Sequence, residues 1–134
     1  MYVDKHLLVS DGQSITIDAV SDYSINLKAA GRDIGAGRPL YFVIVVDTAA
    51  NANDSAKTVT FSVVQDDAAT LAGPTVLVSS AAITGAALTA ARTPIILPVP
   101  PHVSEQYIGV QYDVSATFTA FTVTAFLALD ATIN

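Results

Sequence analysis

Few side chains in this sequence are of the types that hold a metal ion or activate a nucleophile. Histidine occurs only at His6 and His102, with Glu105 near the second, and there is no His-x-His pair of the kind that metal sites on neighbouring strands use. The absence of cysteine excludes disulfides, thiolate metal sites and cysteine nucleophiles. Ser79 and Ser80 lack the flanking glycines of a nucleophile elbow. We therefore expect no metal, no cofactor and no enzymatic activity, and we expect both histidines to be exposed or at an interface.

Oxygen-bearing side chains cluster at two places, and both clusters are typical of turns. Asp47, Asn51, Asn53 and Asp54 offer oxygen atoms that calcium accepts, but their spacing fits no standard calcium loop and no glutamate closes the set. Asp66-Asp67 is the only pair of adjacent carboxylates, and successive strand residues point to opposite faces, unlike the paired carboxylates of a glycosidase. Because Asn and Asp are ordinary turn residues, we interpret both clusters as turns.

A glycine-rich segment, from Gly31 to Gly37, surrounds Arg32 and Asp33. A phosphate-binding loop would need a following helix and a Lys-Ser or Lys-Thr pair, and the segment has neither. Arginine forms strong, geometrically defined hydrogen bonds with carboxylates. We therefore expect Arg32 and Asp33 to pair locally or to contact a neighbouring subunit.

The length and composition of the chain predict one domain with a large surface in contact with other protein. The chain has 134 residues, of which 51% are hydrophobic and only 13% are charged. So low a charge content favours a surface that lies partly against other protein. The net charge of −6 repels nucleic acids and anionic membranes, so we expect neither as a partner. The first residues lack the pattern of a secretory signal and no apolar run has the length of a membrane span, so we expect a soluble protein made in the cytoplasm.

The longest apolar run, residues 40–46, predicts a central strand that is covered on both faces. We expect it to form a hairpin with residues 58–65, whereas the alanine-rich residues 81–91 are expected to be irregular. Residues 1–12 end in the turn signal Ser10-Asp11-Gly12 and are interpreted as an extended N-terminal arm. Alternating or continuous apolar residues predict these strands in total: 14–19, 23–28, 40–46, 58–65, 75–78, 95–97, 107–114 and 121–129.

These short strands, separated by turn signals and without a convincing helix, predict an all-β fold. Eight strands favour an antiparallel eight-stranded jelly-roll sandwich. We expect the arm at residues 1–12 to precede a single jelly-roll domain at residues 13–134. In the first strand of that domain, Ile15, Ile17 and Ala19 are expected to face the core.

Short motifs follow one another along nearly the whole chain. They are Met1-Tyr2-Val3-Asp4-Lys5 with Leu8-Val9-Ser10-Asp11, Arg32-Asp33-Ile34-Gly35 with Pro39-Leu40-Tyr41, Thr58-Val59-Thr60-Phe61, Leu97-Pro98-Val99-Pro100-Pro101, and Tyr107-Ile108-Gly109-Val110. In the order and spacing of these motifs, the chain resembles the jelly-roll capsid cement proteins, or decoration proteins, of short-tailed bacteriophages.

The resemblance implies a non-enzymatic structural protein of the virion. It implies that the chain binds the outer surface of the phage head as a trimer and clamps neighbouring major capsid proteins. The implied partners are the major capsid protein and other copies of this chain. An extended arm can gain main-chain hydrogen bonds along the sheet edge of a neighbour. We expect these residues to contribute contacts with the shell or with sister subunits: Tyr2, Val3, Asp4, Lys5, Arg32 and Asp33.

A carbohydrate-binding jelly roll, such as a lectin or a tail-associated module, is the alternative. Sugar-binding platforms rely on exposed aromatic rings. The chain has no Trp, and only 7% of its residues are aromatic. Specific binding on a glycan array would favour this alternative over the cement protein.

Overall fold

Ten β-strand segments make up about half of the residues that the computed structural model describes, which are residues 7–27, 40–90, 92, 94–100 and 103–128. Two short 3₁₀ turns, Ala52–Asp54 and Gly85–Ala87, lie between strands. Within the described part of the chain, no helix is long and apolar enough to cross a membrane. The strands are β1 (Leu8–Ile15), β2 (Ala19–Val20), β3 (Ile25–Asn26), β4 (Tyr41–Thr48), β5 (Thr58–Asp66), β6 (Thr75–Ser79), β7 (Ile83–Thr84), β8 (Ile95–Pro98), β9 (Tyr107–Val114) and β10 (Phe121–Ala128).

The strands form two antiparallel sheets. The first sheet has the order β1-β10-β4-β8. The second sheet has the order β2-β9-β5-β6, with β3 paired to β9 and β7 paired to β5. The strands thus pair from the two ends of the chain inward, which is the winding of a jelly roll. The predicted all-β antiparallel sandwich is confirmed. Where the sequence predicted eight strands, the described residues contain ten segments, because β2 with β3 and β6 with β7 each share one edge of a sheet.

One hydrophobic core fills the space between the two sheets. Alternate residues of β4, β5, β9 and β10 face it, among them Phe42, Phe61, Tyr112 and Val123, all fully buried. The rings of Phe61 and Tyr112 meet edge to face with their centroids 5.7 Å apart. Each such side chain contributes roughly 1.5–3 kcal/mol through the apolar surface it removes from water.

The predicted hairpin between residues 40–46 and 58–65 is wrong. β4 pairs with β10 and β8 in the first sheet, whereas β5 pairs with β9, β6 and β7 in the second. The loop between β4 and β5 therefore crosses from one sheet to the other. Alternation along a strand identifies its buried face, but it does not identify its neighbours, which here are distant in sequence.

The first part of the chain also differs from its prediction. The expected boundary at residue 12 falls inside β1, and the expected turn at Ser10–Gly12 is an irregularity in the β1–β10 ladder, where Gly12 has φ +60°. Ser10 and Val9 are fully buried. Ile17, expected in the core, is 60% exposed because β1 ends at Ile15. Residues 1–6 lie outside the described residues, so the arm itself stays a prediction.

Each end of the sandwich collects a fixed set of chain segments because neighbouring strands are antiparallel. At what we call the first end lie the start of β1, the end of β10, and the connections β3–β4, β5–β6 and β8–β9. The connections β1–β2, β4–β5, β7–β8 and β9–β10 lie at the second end. Segments at the same end of the sandwich are the ones that can contact the same partner.

Candidate interaction surface

The residues predicted to contact a partner lie outside the described part of the chain, and their roles stay predictions. His6 and His102 lie outside it as well. The described residues on either side nevertheless fix where the chain enters and leaves these segments. The predicted contact residues are Tyr2, Val3, Asp4, Lys5, Arg32 and Asp33.

Both predicted contact segments join the first sheet at the first end. Leu8, which follows the predicted contact residues Tyr2 to Lys5, pairs with Phe126 on β10. Tyr41, which follows residues 28–39, pairs with Ala128 on the same strand. The predicted contact residues before β1 and the Arg32-Asp33 segment before β4 are therefore attached to the two strands that flank β10, at the same end of the sandwich.

The outer face of the first sheet is apolar near the first end, whereas Thr122, Thr124 and Asp47 lie on the same face towards the second end. Val43 on β4 pairs with Phe126 on β10 and with Ile96 on β8, and all three side chains point away from the core between the sheets. Val43 is only 1% exposed and Phe126 only 4%, although neither belongs to that core. Tyr41 and Val45, on the same face of β4, are half-buried. β4 is thus apolar on both faces, as its sequence predicted.

The outer face of the second sheet is mainly polar. On β5 and β9 it carries Thr60, Ser62, Gln111 and Asp113, which form the cross-strand pairs Thr60–Asp113 and Ser62–Gln111. The hydroxyl groups of Ser62 and Ser79 lie 2.9 Å apart. The two broad outer faces of the sandwich therefore differ in chemistry, although the outer face of the second sheet also holds the apolar side chains Val64, Leu71 and Val76.

The loop considered for calcium has its oxygen atoms engaged within the protein. The side chain of Asn51 accepts a hydrogen bond from the Asn53 amide at 2.9 Å, which caps the 3₁₀ turn. The carboxylate of Asp54 is buried and accepts hydrogen bonds from Lys57 Nζ at 2.6 Å and from the Thr119 amide at 2.8 Å. These bonds, that from Lys57 foremost, lower the pKa of Asp54. The side chains of this turn therefore hold it to neighbouring parts of the protein.

The remaining carboxylate candidates are also engaged. Asp66 accepts hydrogen bonds from the amides of Asp67 at 2.7 Å and Gly73 at 3.0 Å, which close the loop after β5. The backbone hydrogen bond from Gly73 is the main reason that the pKa of Asp66 is lowered. Asp47 accepts a hydrogen bond from the Thr124 hydroxyl. Among the described residues, no group of three or more His, Cys, Asp or Glu side chains is placed to hold a metal ion.

The two serines considered as nucleophiles belong to the sheet. The Ser80 hydroxyl accepts a hydrogen bond from the Phe61 amide at 3.1 Å and donates one to the Ala81 carbonyl at 2.8 Å. The Ser79 hydroxyl bonds to Ser62, as described above. Both hydroxyl groups therefore secure the edge strand β6 to β5.

Comparison with known protein families identifies the family to which this chain belongs. A model of the Bbp16 family matches residues 9–127. The chain belongs to the Bbp16 family. The matched span begins in β1 and ends in β10, so it covers both sheets. No curated protein matches the chain.

The Bbp16 match includes Arg32 and Asp33 but not the predicted arm residues Tyr2 to Lys5. The sequence-based site prediction did not include the outer face of the first sheet. The available signal was the run Leu40–Val46, in which apolar residues occupy consecutive rather than alternate positions. The partner position, Phe126, follows the same rule, because the strand holding it is apolar at successive positions near its end.

Proposed function

We propose that this Bbp16-family protein is a non-enzymatic capsid cement protein that binds the outside of a phage head as a homotrimer. In that role it stabilises contacts between neighbouring major capsid proteins. The resemblance of the motifs along the chain to phage cement proteins supports the proposal. Its functional surfaces are broad faces and extended segments, as a protein that bridges a shell requires.

The apolar outer face of the first sheet is the observation that carries the proposal. In a sandwich whose two outer faces both meet water, those faces would be polar at alternate positions. Here one face follows that rule, whereas the other holds Tyr41, Val45 and Ile96 around the pair Val43 and Phe126 near the first end. Val43 and Phe126 are buried within this chain, so a partner on this face would meet the half-buried side chains around them.

The positions at which the predicted contact segments join the first sheet also favour its outer face as the contact surface. Residues 2–5 precede β1 and residues 28–39 precede β4, and both strands begin at the first end of the first sheet. A partner that covers the outer face near Tyr41 is thus within reach of both segments. The net charge of −6 suits a position on the outside of the head, away from packaged DNA.

Binding to purified phage heads that lack the protein tests this function. The variant Val45→Asp/Ile96→Asp places two charges on the outer face of the first sheet. We expect its affinity for heads to fall about tenfold or more, since charged groups buried at an interface without partners cost at least about 1.4 kcal/mol. The control Thr60→Asp/Gln111→Asp adds the same charge to the outer face of the second sheet and should bind as the wild type does.

A truncated variant gives a second, independent test of the proposed function. Removal of residues 2–6 leaves Val9 in the core and β1 complete, whereas a longer deletion through Val9 would damage the fold. We expect the truncated protein to keep its unfolding temperature and to bind heads more weakly. Wild-type protein that does not bind heads, or that shows specific binding on a glycan array instead, would contradict the proposed function.

A further inference from the structure

The sandwich has two lateral edges, and each edge is formed by one outer strand from each sheet. Strands β1 and β2 lie together at one edge, where the Gln13 side chain donates to the Val20 carbonyl at 2.8 Å. Strands β6 and β8 lie next to each other at the opposite edge. An outer strand has one side that its own sheet does not cover, so both edges are available to a partner.

The edge at β1 and β2 combines carboxylates with exposed apolar side chains. We call it the acidic edge, and it consists of Ile17, Asp18, Asp22 and Tyr23. Ile17 is 60% exposed and Tyr23 is 63% exposed, and both carboxylates are exposed beside them. Residues 7–27, which include this edge, contain no basic residue.

Hydrogen bonds fix the backbone of the acidic edge. Asp18 accepts a hydrogen bond from the Val114 amide at 2.8 Å, and the Tyr23 amide donates to the Val9 carbonyl at 2.9 Å. Burial, together with the nearby charge of Asp18, raises the pKa of Asp113 on β9. Such a shift is expected where carboxylates lie close together without a cation, and a partner that supplies a cation would relieve the repulsion.

The opposite edge carries a single charge, which is positive. We call it the β6–β8 edge, and it consists of these two strands with Val76 and Arg92. Arg92 is the only charged residue between positions 68 and 100. Val76 is 48% exposed, and in the described part of the chain only Ile17 and Tyr23 are large apolar side chains of similar exposure. All three of these side chains therefore belong to the two lateral edges.

The guanidinium group of Arg92 has no counter-ion within the described residues. It donates to the Ala87 carbonyl at 3.4 Å, and its Nε is buried without a hydrogen-bond partner. A guanidinium has five N–H donors, and its planar shape suits a carboxylate. The other basic residue that the structure describes, Lys57, is paired with Asp54. Arg92 is therefore the cation of the described body that is free to receive a carboxylate from a partner.

The complementary groups of the two edges lie at matching levels along the strands. Asp18 follows β1 and Arg92 precedes β8, so both lie at the second end. Val76 is level with Gly109 across the ladders of β5. Tyr23 lies between β2 and β3, which pair with β9 on either side of Gly109. Two copies placed side by side, with their first ends pointing the same way, thus bring Asp18 towards Arg92 and Tyr23 towards Val76.

The two edges do not meet within one copy. β10 and β4 lie between β1 and β8 in the first sheet, and adjacent strands are about 4.8 Å apart, so these outer strands are about 14 Å apart. The structure describes both side chains and bonds them elsewhere, Asp18 to the Val114 amide and Arg92 to the Ala87 carbonyl. A contact between the edges therefore requires a second copy.

We infer that the acidic edge of one copy binds the β6–β8 edge of a neighbouring copy, with Asp18 against Arg92 and Tyr23 against Val76. The inference rests on the proposed homotrimer and names the contact that closes it. A ring of three copies needs a heterologous contact between two different surfaces of the same chain. In a ring whose axis runs along the strands, all three first ends, where β1 and β4 begin, face the same side.

Sedimentation equilibrium of the full-length protein, with the charges exchanged, tests the contact. We expect Asp18→Arg and Arg92→Glu each to weaken self-association about tenfold or more, because an attractive pair becomes repulsive at every contact of the ring. The combined variant Asp18→Arg/Arg92→Glu should return to within about threefold of wild type, since opposite charges again face each other. High salt should weaken the association of the wild type.

Further variants keep the result independent of folding. Asp18→Asn keeps an oxygen that accepts the Val114 amide but removes the charge, and we expect about a threefold loss of association. Tyr23→Ser and Val76→Ser change exposed side chains, and each should lose about fivefold. Asp67→Arg alters the net charge as Asp18→Arg does, but at an exposed position in the β5–β6 connection, and should associate as the wild type does.

Three results would overturn the inference. They are a monomeric wild type, a loss in Asp67→Arg equal to that in Asp18→Arg, and a combined variant that stays as weak as its parents. The unfolding temperature of each variant shows whether it is folded.

The head-binding assay separates this inference from the proposed function. Protein that self-associates through these two edges but does not bind heads would leave the contact standing and contradict the cement role. Protein that binds heads, but whose association is unchanged by the edge variants, would keep the proposed function and overturn the inference.

Discussion

The hydroxyl oxygen of Ser10 on β1 lies 2.7 Å from the phenolic oxygen of Tyr112 on β9, so a hydrogen bond joins the two sheets inside the core. Both side chains are fully buried. Ser10 also donates to Gln13 Oε1 at 2.7 Å, and since a hydroxyl has one hydrogen, Tyr112 must be the donor to Ser10. Gln13 continues the chain of bonds to the Val20 carbonyl and the Asp22 amide. These bonds fix β1 against the second sheet where its ladder is irregular.

Replacing Tyr112→Phe keeps the ring and removes this donor. We expect the free energy of unfolding to fall by about 1–3 kcal/mol, because the buried Ser10 oxygen loses a partner without gaining water. Urea denaturation measures the change. Tyr107→Phe, a half-buried tyrosine on the same strand, is the matched control and should stay within about 0.5 kcal/mol of wild type. Equal effects of the two changes would contradict the role assigned to the bond.

The buried hydroxyl of Tyr112 also makes the stability of the fold depend on pH in the alkaline range. Burial raises the pKa of the Tyr112 hydroxyl above its usual value, and the charge of Asp22 raises it further. The unfolded chain releases this proton above about pH 10, while the folded protein retains it. Stability is therefore unaffected below about pH 10 and falls as the pH rises further. We expect urea midpoints at alkaline pH to fall less steeply in Tyr112→Phe than in wild type, and parallel slopes would refute the assignment.

A close contact on the outer face of the second sheet predicts coupling between Leu71 and Gly109. The loop after β5 places Leu71, with φ 53°, over Gly109, where an added Cβ would lie 2.5 Å from Leu71 Cδ1. We expect Gly109→Ala to cost about 1–3 kcal/mol and Leu71→Ala about 2 kcal/mol or more. In the double variant the new methyl group fills part of the space left by Leu71, although it still lies 2.8 Å from Ser21 Oγ, so its cost should be about 1 kcal/mol below the sum.

Urea denaturation of the four proteins in this cycle gives the coupling energy directly. Gly73→Ala is the control, because no atom lies within 4 Å of an added Cβ there, and it should change stability by less than about 1 kcal/mol. Additive costs for Leu71 and Gly109 would show that the loop does not pack on the sheet as described.

The parts of the fold that were predictable from sequence are those with regular alternation. The residues of β5, β9 and β10 that face the core occupy alternate positions, and period two predicts these positions, although Val64 and Phe126 are buried on the opposite faces. β1 was missed as a strand because the irregularity at Gly12 breaks its period and because Ser10-Asp11-Gly12 has the composition of a turn. The assignment of β4 and β5 to different sheets depends on pairing with distant strands, which no local pattern encodes.

The candidate surfaces were predictable only in part. The consecutive apolar residues of β4 indicated that both faces would be covered, but Phe126 completes the outer face from the other end of the chain. Asp18 and Tyr23 were placed in strands by their neighbours, and their exposure follows from how short β2 and β3 are. Asp54 has the sequence context of a solvated turn, and only the approach of Thr119 from the β9–β10 loop explains its burial.

The buried carboxylate of Asp54 joins the β4–β5 and β9–β10 loops at the second end and predicts a dependence of stability on acid pH. The carboxylate binds Lys57 and the Thr119 amide, while the backbone carbonyl of Asp54 packs so closely against Gly85 that a Cβ there would clash with it. Because these bonds hold the pKa of Asp54 below its ordinary value of 3.8, the ionised form stabilises the fold above about pH 4, and this stabilisation is lost as the pH falls through the lowered pKa.

The variant Asp54→Asn tests the role of the carboxylate, because the asparagine side chain has nearly the same size. At neutral pH we expect it to unfold at lower urea concentration than wild type, since the amide carries no charge for Lys57 and its nitrogen cannot accept a hydrogen bond. The difference should shrink below about pH 4, because the wild-type carboxylate then becomes neutral as well. Asp11→Asn, at an exposed site, should match wild type within about 0.5 kcal/mol throughout. A difference between Asp54→Asn and wild type that stays constant as the pH is lowered would mean that shape, rather than charge, holds these loops together.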